Sequence, residues 1–368
     1  MENDIYRDIR PYNDAEVQQA LSALVEDDEF ITAITQYRFS WLPTCVSGLV
    51  KPLLKRVLTH RWSSIKSVKE VQLQVANYME QAILSSSDGV TYSGLDKLDR
   101  NKSYLYISNH RDIAMDPALV NWCLHHEGFD TSRIAIGDNL LKKACVATLM
   151  RLNKSFIVKR DIKAPRELMK ALGQLSAYIR HSLCEDNQSI WIAQKEGRAK
   201  DGNDKTDPAI LKMLHVQGRK EKQPFADYMQ SLNIVPVTIS YENDPCDLAK
   251  ANELVAKRQT GYYQKSEFED IDSIIQGIVG EKRRIHVSFG DVVTGKYESP
   301  EALAVEIDHQ IINNYQLFPV NYIAANKNHT CITENERIRF SHKLCAVDDA
   351  VATMITQMYA LPVTRRCS

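Results

Sequence analysis

No run of roughly 18 uncharged apolar residues occurs in the chain, so a membrane-spanning helix is not expected and any membrane contact has to be peripheral. Charge of one sign is also missing. The 46 Lys and Arg balance 47 Asp and Glu to a net charge of −1, without the basic excess of a nucleic-acid binder. The eight cysteines, at 45, 123, 145, 184, 246, 331, 345 and 367, never pair as C-x-x-C, which argues against a zinc ribbon or a thioredoxin-type centre. Scattered among mostly apolar neighbours, they suggest buried thiols in a reducing compartment. Met1-Glu2-Asn3-Asp4 is acidic and polar, so no secretory leader is expected. A G-x-S-x-G element is absent, which leaves a serine hydrolase poorly supported. No internal repeat and no low-complexity segment stands out. What remains is an ordinary globular composition, 44% hydrophobic and 25% charged, over 368 residues, enough for one large domain or two modest ones.

The first 86 residues read as helices. Asn13-Asp14 resembles an N-cap for an amphipathic stretch from Ala15 to Val25, a second runs from Asp28 to Tyr37, and a third from Ser67 to Leu84. Ser85-Ser86-Ser87-Asp88-Gly89 reads as a turn and a domain boundary. Beyond it, strand-like runs at 103–108, 132–137, 155–159, 188–193, 234–241 and 283–290 alternate with helical stretches at 117–127, 139–152, 164–183, 224–232 and 299–315. Alternation of this kind predicts an α/β fold with a mostly parallel sheet flanked by helices. The polar stretch Arg198 to Asp207 reads as a surface loop, and the tail from Glu334 to Leu361 as helical. The expected organisation is an N-terminal helical segment (1–86), an α/β domain (87–320) and a helical C-terminal extension (321–368).

Four short stretches carry chemistry. In Asn109-His110…Asp116, a neutral imidazole sits between a strand and a helix with two carboxylates in reach, Asp112 and Asp116. Such a ring can take a proton from a hydroxyl while a carboxylate holds its tautomer. The plainer account of Asp116-Pro117 is a helix cap followed by a first-turn proline. The run Lys154-Ser155-Phe156-Ile157-Val158-Lys159-Arg160-Asp161 ends a strand in two cations. Arg160 could pair with a phosphate, or simply be solvated. Ile190-Trp191-Ile192-Ala193-Gln194 leads into Lys195-Glu196-Gly197-Arg198, where two cations and a glycine suit an anionic ligand as well as an ordinary turn. The strand Ile234-Val235-Pro236-Val237 carries a proline, which suggests an edge position or a bulge.

The order of these four blocks resembles the glycerolipid acyltransferase family, which includes glycerol-3-phosphate and 1-acylglycerol-3-phosphate acyltransferases. Its blocks are N-H-x4-D, an apolar strand ending in arginine, a strand leading into E-G-(T/G)-R, and an apolar strand with proline. The resemblance covers residues 90 to about 242 and more loosely reaches His286-Val287-Ser288-Phe289-Gly290. It implies His110 as general base and Asp116 as its orienting carboxylate. It also implies Arg160 at the acceptor phosphate, Glu196 and Gly197 lining the acceptor site with Arg198 near phosphate, and Pro236 beside the acyl groove. Two departures mark a divergent branch. Five residues separate His110 from Asp116, so Asp112 could hold the ring instead. The third block reads Glu-Gly-Arg, so Lys195 or Lys200 could share the phosphate.

The resemblance implies an O-acyltransferase in phospholipid biosynthesis. It would use acyl-CoA or acyl carrier protein as co-substrate with no further cofactor and no metal. 1-Acylglycerol 3-phosphate is the expected acceptor, with glycerol 3-phosphate or another hydroxyl lipid as the alternative. A non-catalytic lipid-binding module is the alternative from another class. The expected partners are membrane lipids and the acyl carrier, not nucleic acid, and the expected location is cytoplasmic and peripheral to the inner membrane face. In the preface, Arg38 to Lys66 mixes aromatic and aliphatic residues with clustered cations. That suits a helix lying in a membrane interface or one packed with a solvated basic face.

Overall fold

The computed structural model describes residues 4–38, 47–266 and 268–366. Four helices come first, α1 (Asp14–Glu26), α2 (Asp28–Arg38), α3 (Ser47–Trp62) and α4 (Val68–Ser86). Phe39-Ser40-Trp41-Leu42-Pro43, the most apolar part of the expected interface segment, lies outside the described residues. Strands and helices then alternate through β1 (Ser87–Ser93), β2 (Leu105–Ser108), α5 (Met115–His126), β3 (Arg133–Gly137), α6 (Ala144–Leu152), β4 (Ser155–Val158), α7 (Pro165–Cys184) and β5 (Ile190–Ala193). Three short helices, α8 (Pro208–Leu214), α9 (Val216–Lys220) and α10 (Phe225–Ser231), precede β6 (Ile234–Tyr241). The chain continues through α11 (Asp247–Thr260), α12 (Glu269–Val279), β7 (Arg283–Phe289), α13 (Pro300–Asn313), α14 (Pro319–Ala324), α15 (Glu334–Cys345) and α16 (Asp349–Arg366).

These elements gather into two compact units, Met1–Tyr78 with Arg133–Tyr178, and Met79–Ser132 with Ile179–Ser368. In the first unit, α1 is amphipathic because Val17, Ala20, Leu21 and Leu24 recur at helical spacing. They bury against Ile65, Val71, Cys145 and Leu152. Asn13 and Glu16 form a reciprocal capping box at its start. Strands β3 and β4 pair in parallel, Gly137 opposite Val158. Helix α3 sends Trp62 into the α1 core while Leu53 and Val57 stay exposed.

The second unit holds five strands in the order β1-β7-β6-β2-β5. Neighbours run parallel except β6 and β7, which are antiparallel. This is the α/β fold with a mostly parallel sheet and flanking helices that the alternation predicts. Strands β2 and β6 are buried along their whole length, which explains why they read as continuous apolar runs. Fully buried Leu105, Ile107, Val235, Val237 and Ile239 each add roughly 1.5–3 kcal/mol of burial free energy. A second cluster, Ala251, Phe340, Val351, Met354, Ile355, Met358 and Tyr359, binds α11, α15 and α16 together.

Several local expectations are corrected. The turn at Ser85–Gly89 is the last turn of α4 running into β1. Ser85 and Ser86 donate to the carbonyl of Ala82, and Ser87 to that of Ile83, so the serines extend the helix. Pro236 is in an interior strand, flanked by β2 and β7. Its carbonyl accepts from Gly290 N–H at 2.8 Å, on the side where β7 has already ended. The proline thus sits where the regular β6–β7 ladder ends, and its missing donor leaves the pairing with Gly290 as this single bond. The stretch 139–152 splits into a one-turn 3₁₀ segment, Asp138–Leu140, and α6. Helices α11 and α12 fill the stretch between β6 and β7, where the sequence reading placed no helix.

Candidate active site

Strand β2 delivers the histidine. Where its backbone leaves the sheet, Asn109 takes over the pairing with β6. Its Oδ1 accepts from Ile239 N–H at 2.8 Å and its Nδ2 donates to Ile239 O at 3.0 Å. The next residue, His110, turns its ring toward α5, packed edge-on against Trp191 with centroids 5.7 Å apart. Only 14% of the His110 side chain is exposed.

Both candidate carboxylates are buried, with different tasks. Asp116 Oδ2 lies 2.9 Å from His110 Nδ1 and also accepts the backbone N–H groups of Arg111 (2.6 Å) and Asp112 (2.8 Å). Its Oδ1 accepts the Tyr241 hydroxyl at 2.8 Å. A carboxylate surrounded by donors takes a proton-bearing Nδ1 as its fourth, which leaves the imidazole lone pair on Nε2. Asp112 instead reaches forward. Its Oδ1 accepts from Ala114 N–H (3.0 Å) and Met115 N–H (2.8 Å), capping the free amides at the head of α5. The expected cap at Asp116-Pro117 is thereby corrected, since α5 begins at Met115 and Asp116 lies within its first turn. The fifth intervening residue is accommodated because Asp112 serves the helix and Asp116 serves the ring. Burial, and then the charge of Asp116, push the Asp112 carboxyl above its usual range. Gly277 of α12 packs directly on it, and a Cβ there would come within 2.1 Å of Asp112 Oδ2.

The third block lies beside this loop. The N–H of Ala199 donates to the carbonyl of His110 at 2.8 Å, tying the segment after β5 to the histidine's own backbone. Lys195 Nζ donates to Asn203 O at 3.4 Å, Arg198 Nη2 to Ser273 Oγ at 3.3 Å, and Lys200 pairs with Glu253. Glu196 and Gly197 are exposed, and Gly197 turns the chain at φ 75°. The stretch Arg198 to Asp207, read as a surface loop, is anchored inward at every second residue from Gly202 to Thr206. Gly202 and Asp204 are buried, Asp204 Oδ2 takes Arg111 Nη2 at 2.6 Å, and Thr206 Oγ1 donates to Asp308 at 2.6 Å.

Arg160 belongs to the other unit. It follows β4, with its N–H on Asp138 Oδ1 at 3.2 Å and Nη1 on Asn139 Oδ1 at 3.3 Å. Gly137 lets the guanidinium cross the end of β3, since a Cβ there would meet Arg160 Nε at 2.5 Å. Pro236 sits in β6, paired with Ile107 three residues before His110.

Sequence reading missed the buried shell behind His110. Lys250, 2% exposed, donates to Arg111 O at 2.7 Å and pairs with Asp244. Despite the penalty of burial, Lys250 brings the Asp244 carboxyl below its ordinary value. Tyr241, Lys250 and Asp204 reach the His110 loop from 93 to 139 positions further along the chain, so no local spacing announces them. The one available signal was Tyr241 itself, the bulky hydroxyl-bearing residue that closes β6.

Residues 89–240 match the sequence model of the Acyltransferase family. The matched span contains His110, Asp112, Asp116, Arg160, Lys195 to Arg198, and Pro236, and it stops one residue short of Tyr241. No curated protein matches the chain. Among solved structures, the chain is similar to the 1-acyl-sn-glycerophosphate (LPA) acyltransferase PlsC from Thermotoga maritima. Identity is 14%, with 80% of this chain and 92% of that one covered and a TM-score of 0.38.

Proposed function

We propose that this acyltransferase, a member of the Acyltransferase family by residues 89–240, moves a fatty acyl group onto a hydroxyl of a glycerol-phosphate lipid precursor. The donor is acyl-CoA or acyl carrier protein and the acceptor 1-acylglycerol 3-phosphate; glycerol 3-phosphate or another hydroxyl lipid is the alternative acceptor. No further cofactor takes part in this reading. The observation that carries it is the 2.9 Å contact of His110 Nδ1 with Asp116 Oδ2 at the end of β2. Nε2 of His110 removes the acceptor's hydroxyl proton, and the oxygen attacks the thioester carbonyl. The tetrahedral adduct collapses with loss of the C–S bond, and the leaving thiolate takes the proton back from the imidazolium. Asp116 stabilises the transient positive ring. Cations align the acceptor through its phosphate, Arg198 with Lys195 near the loop and Arg160 by resemblance, so that positioning supplies much of the rate. Glu196 and Gly197 line the acceptor site and Pro236 the acyl groove.

An amphiphilic acceptor places the enzyme at a lipid surface. None of the described helices is long and apolar enough to cross a membrane, so the contact we propose is peripheral. Helix α12 supports this. Ser273 and Gly277 are its buried residues, while Ile271, Ile275, Ile278 and Val279 are exposed on one outward stripe.

The test is acyl transfer to 1-acylglycerol 3-phosphate by wild type and His110→Ala, with circular dichroism as the folding control. The alanine variant loses roughly 10²–10⁴-fold in rate with an unchanged spectrum. Full activity in that variant overturns the reading.

A further inference from the structure

We propose that Tyr241 is a positioning residue for the acyl-transfer base, acting on His110 through the second oxygen of Asp116. The inference rests on the reading of His110 as that base. Three donors converge on Asp116 Oδ2: the imidazole and the amides of Arg111 and Asp112. Among the described residues, Oδ1 has one donor, the Tyr241 hydroxyl at 2.8 Å. A carboxylate turns about its Cβ–Cγ bond in a broad, shallow well, so one anchored oxygen leaves its plane loosely set. A donor on the other oxygen fixes that plane and with it the direction of the lone pair facing Nδ1.

The fold supports the donor well. Strand β6 pairs Tyr241 with Ile285 of β7, so its backbone is fixed inside the sheet. Asn109 clamps Ile239 on both its N–H and its carbonyl, which locks β6 to the residue just before His110. The tyrosine is 5% exposed and Asp116 0%, so water does not compete for the hydroxyl. Burial, with the charges of Asp116 and Asp112 next, holds the phenol proton far above its usual range, so the group remains a donor wherever the enzyme works. The hydroxyl touches neither nitrogen of His110 and acts only through Asp116.

The experiment is a double-mutant cycle on acyl transfer with Tyr241→Phe and Asp116→Ala, measuring kcat and KM for donor and acceptor separately. Thermal unfolding of each variant checks the fold. Tyr241→Met, apolar and likewise without a donor, is the companion should the phenylalanine chain not fold. Tyr241→Phe is expected to lower kcat about 10-fold or more, the usual loss for a hydrogen bond to a charged group, with both KM values unchanged. In the Asp116→Ala background the same substitution changes kcat less than about 2-fold, because the group it acts through is gone. An equal loss in both backgrounds, a change confined to KM, or an unchanged kcat overturns the inference. A wild-type chain without acyl transfer overturns this inference and the functional reading together. An active wild type, a dead His110→Ala and a fully active Tyr241→Phe overturn this inference alone.

Discussion

At the scale of residues, two aspartates four positions apart share one short loop and divide its work. Asp116 serves the imidazole and Asp112 the amides of Ala114 and Met115. Charge neutralisation at each should therefore have opposite consequences. Asp116→Asn replaces an acceptor by a group that can donate toward Nδ1, favouring the wrong tautomer, and is expected to cost roughly 10²–10⁴-fold in rate. Asp112→Asn keeps a side-chain carbonyl for the two amides and is expected to stay within about an order of magnitude of wild type. Its stability has a definite pH signature. The folded chain holds Asp112's proton more tightly than the unfolded chain, whose carboxyl titrates near 3.8. Between that value and the raised one the folded state binds more protons, so stability falls as pH rises through the window. Asp112→Asn removes this loss. Its unfolding free energy should exceed that of wild type at neutral pH, with the gap closing below pH 3.8. Chemical unfolding at both pH values measures it, and a gap that widens in acid counts against the argument.

At the scale of elements, the legible parts were those with a local cause. Strand β6 reads directly because eight consecutive buried residues must be apolar or self-satisfied. The His110 loop reads because strand, histidine and helix are contiguous. What did not read depends on partners distant in sequence. Pro236 points to an edge only if β7 is assumed to run its full length beside it. The tasks of Asp112 and Asp116 separate only once Tyr241, 125 residues on, closes the second oxygen. Helix α12 is illegible for another reason. Its periodicity announces a core-facing stripe, yet its small residues face the Asp112 loop and its isoleucines face out. In the peripheral reading that stripe meets lipid, and Ile275, 53% exposed, is a suitable probe. Ile275→Asp should weaken binding to phospholipid vesicles by ~10-fold or more, as expected when a side chain worth roughly 1.5–3 kcal/mol of burial becomes charged. Activity on a short-chain, water-soluble acceptor should be unchanged. Vesicle sedimentation reads the first and steady-state kinetics the second. Undiminished sedimentation removes α12 from the membrane contact.

At the scale of the whole molecule, the family-matched span crosses both compact units. His110 and the Lys195–Arg198 cations belong to one, Arg160 to the other. The assignment of Arg160 to the acceptor phosphate comes from motif order, and kinetics can judge it without any assumption about geometry. A guanidinium that holds a phosphate in both ground and transition states contributes uniform binding, so its loss raises KM more than it lowers kcat. Arg160→Ala should therefore raise KM for a phosphate-bearing acceptor by roughly 10–100-fold, the range of a charge-assisted hydrogen bond. KM for the acyl donor should stay near its wild-type value. Arg160→Lys should recover part of the loss, because an ammonium restores the charge but not the bidentate fork. A dephosphorylated acceptor of the same chain length supplies the control: wild type and Arg160→Ala should use it equally poorly. If the substitution leaves the phosphate acceptor's KM unchanged, the acceptor is a neutral hydroxyl lipid or the phosphate rests on Arg198, Lys195 or Lys200. Repeating the measurement with Arg198→Ala, Lys195→Ala and Lys200→Ala separates these, since only a phosphate acceptor makes its KM sensitive to one of those cations.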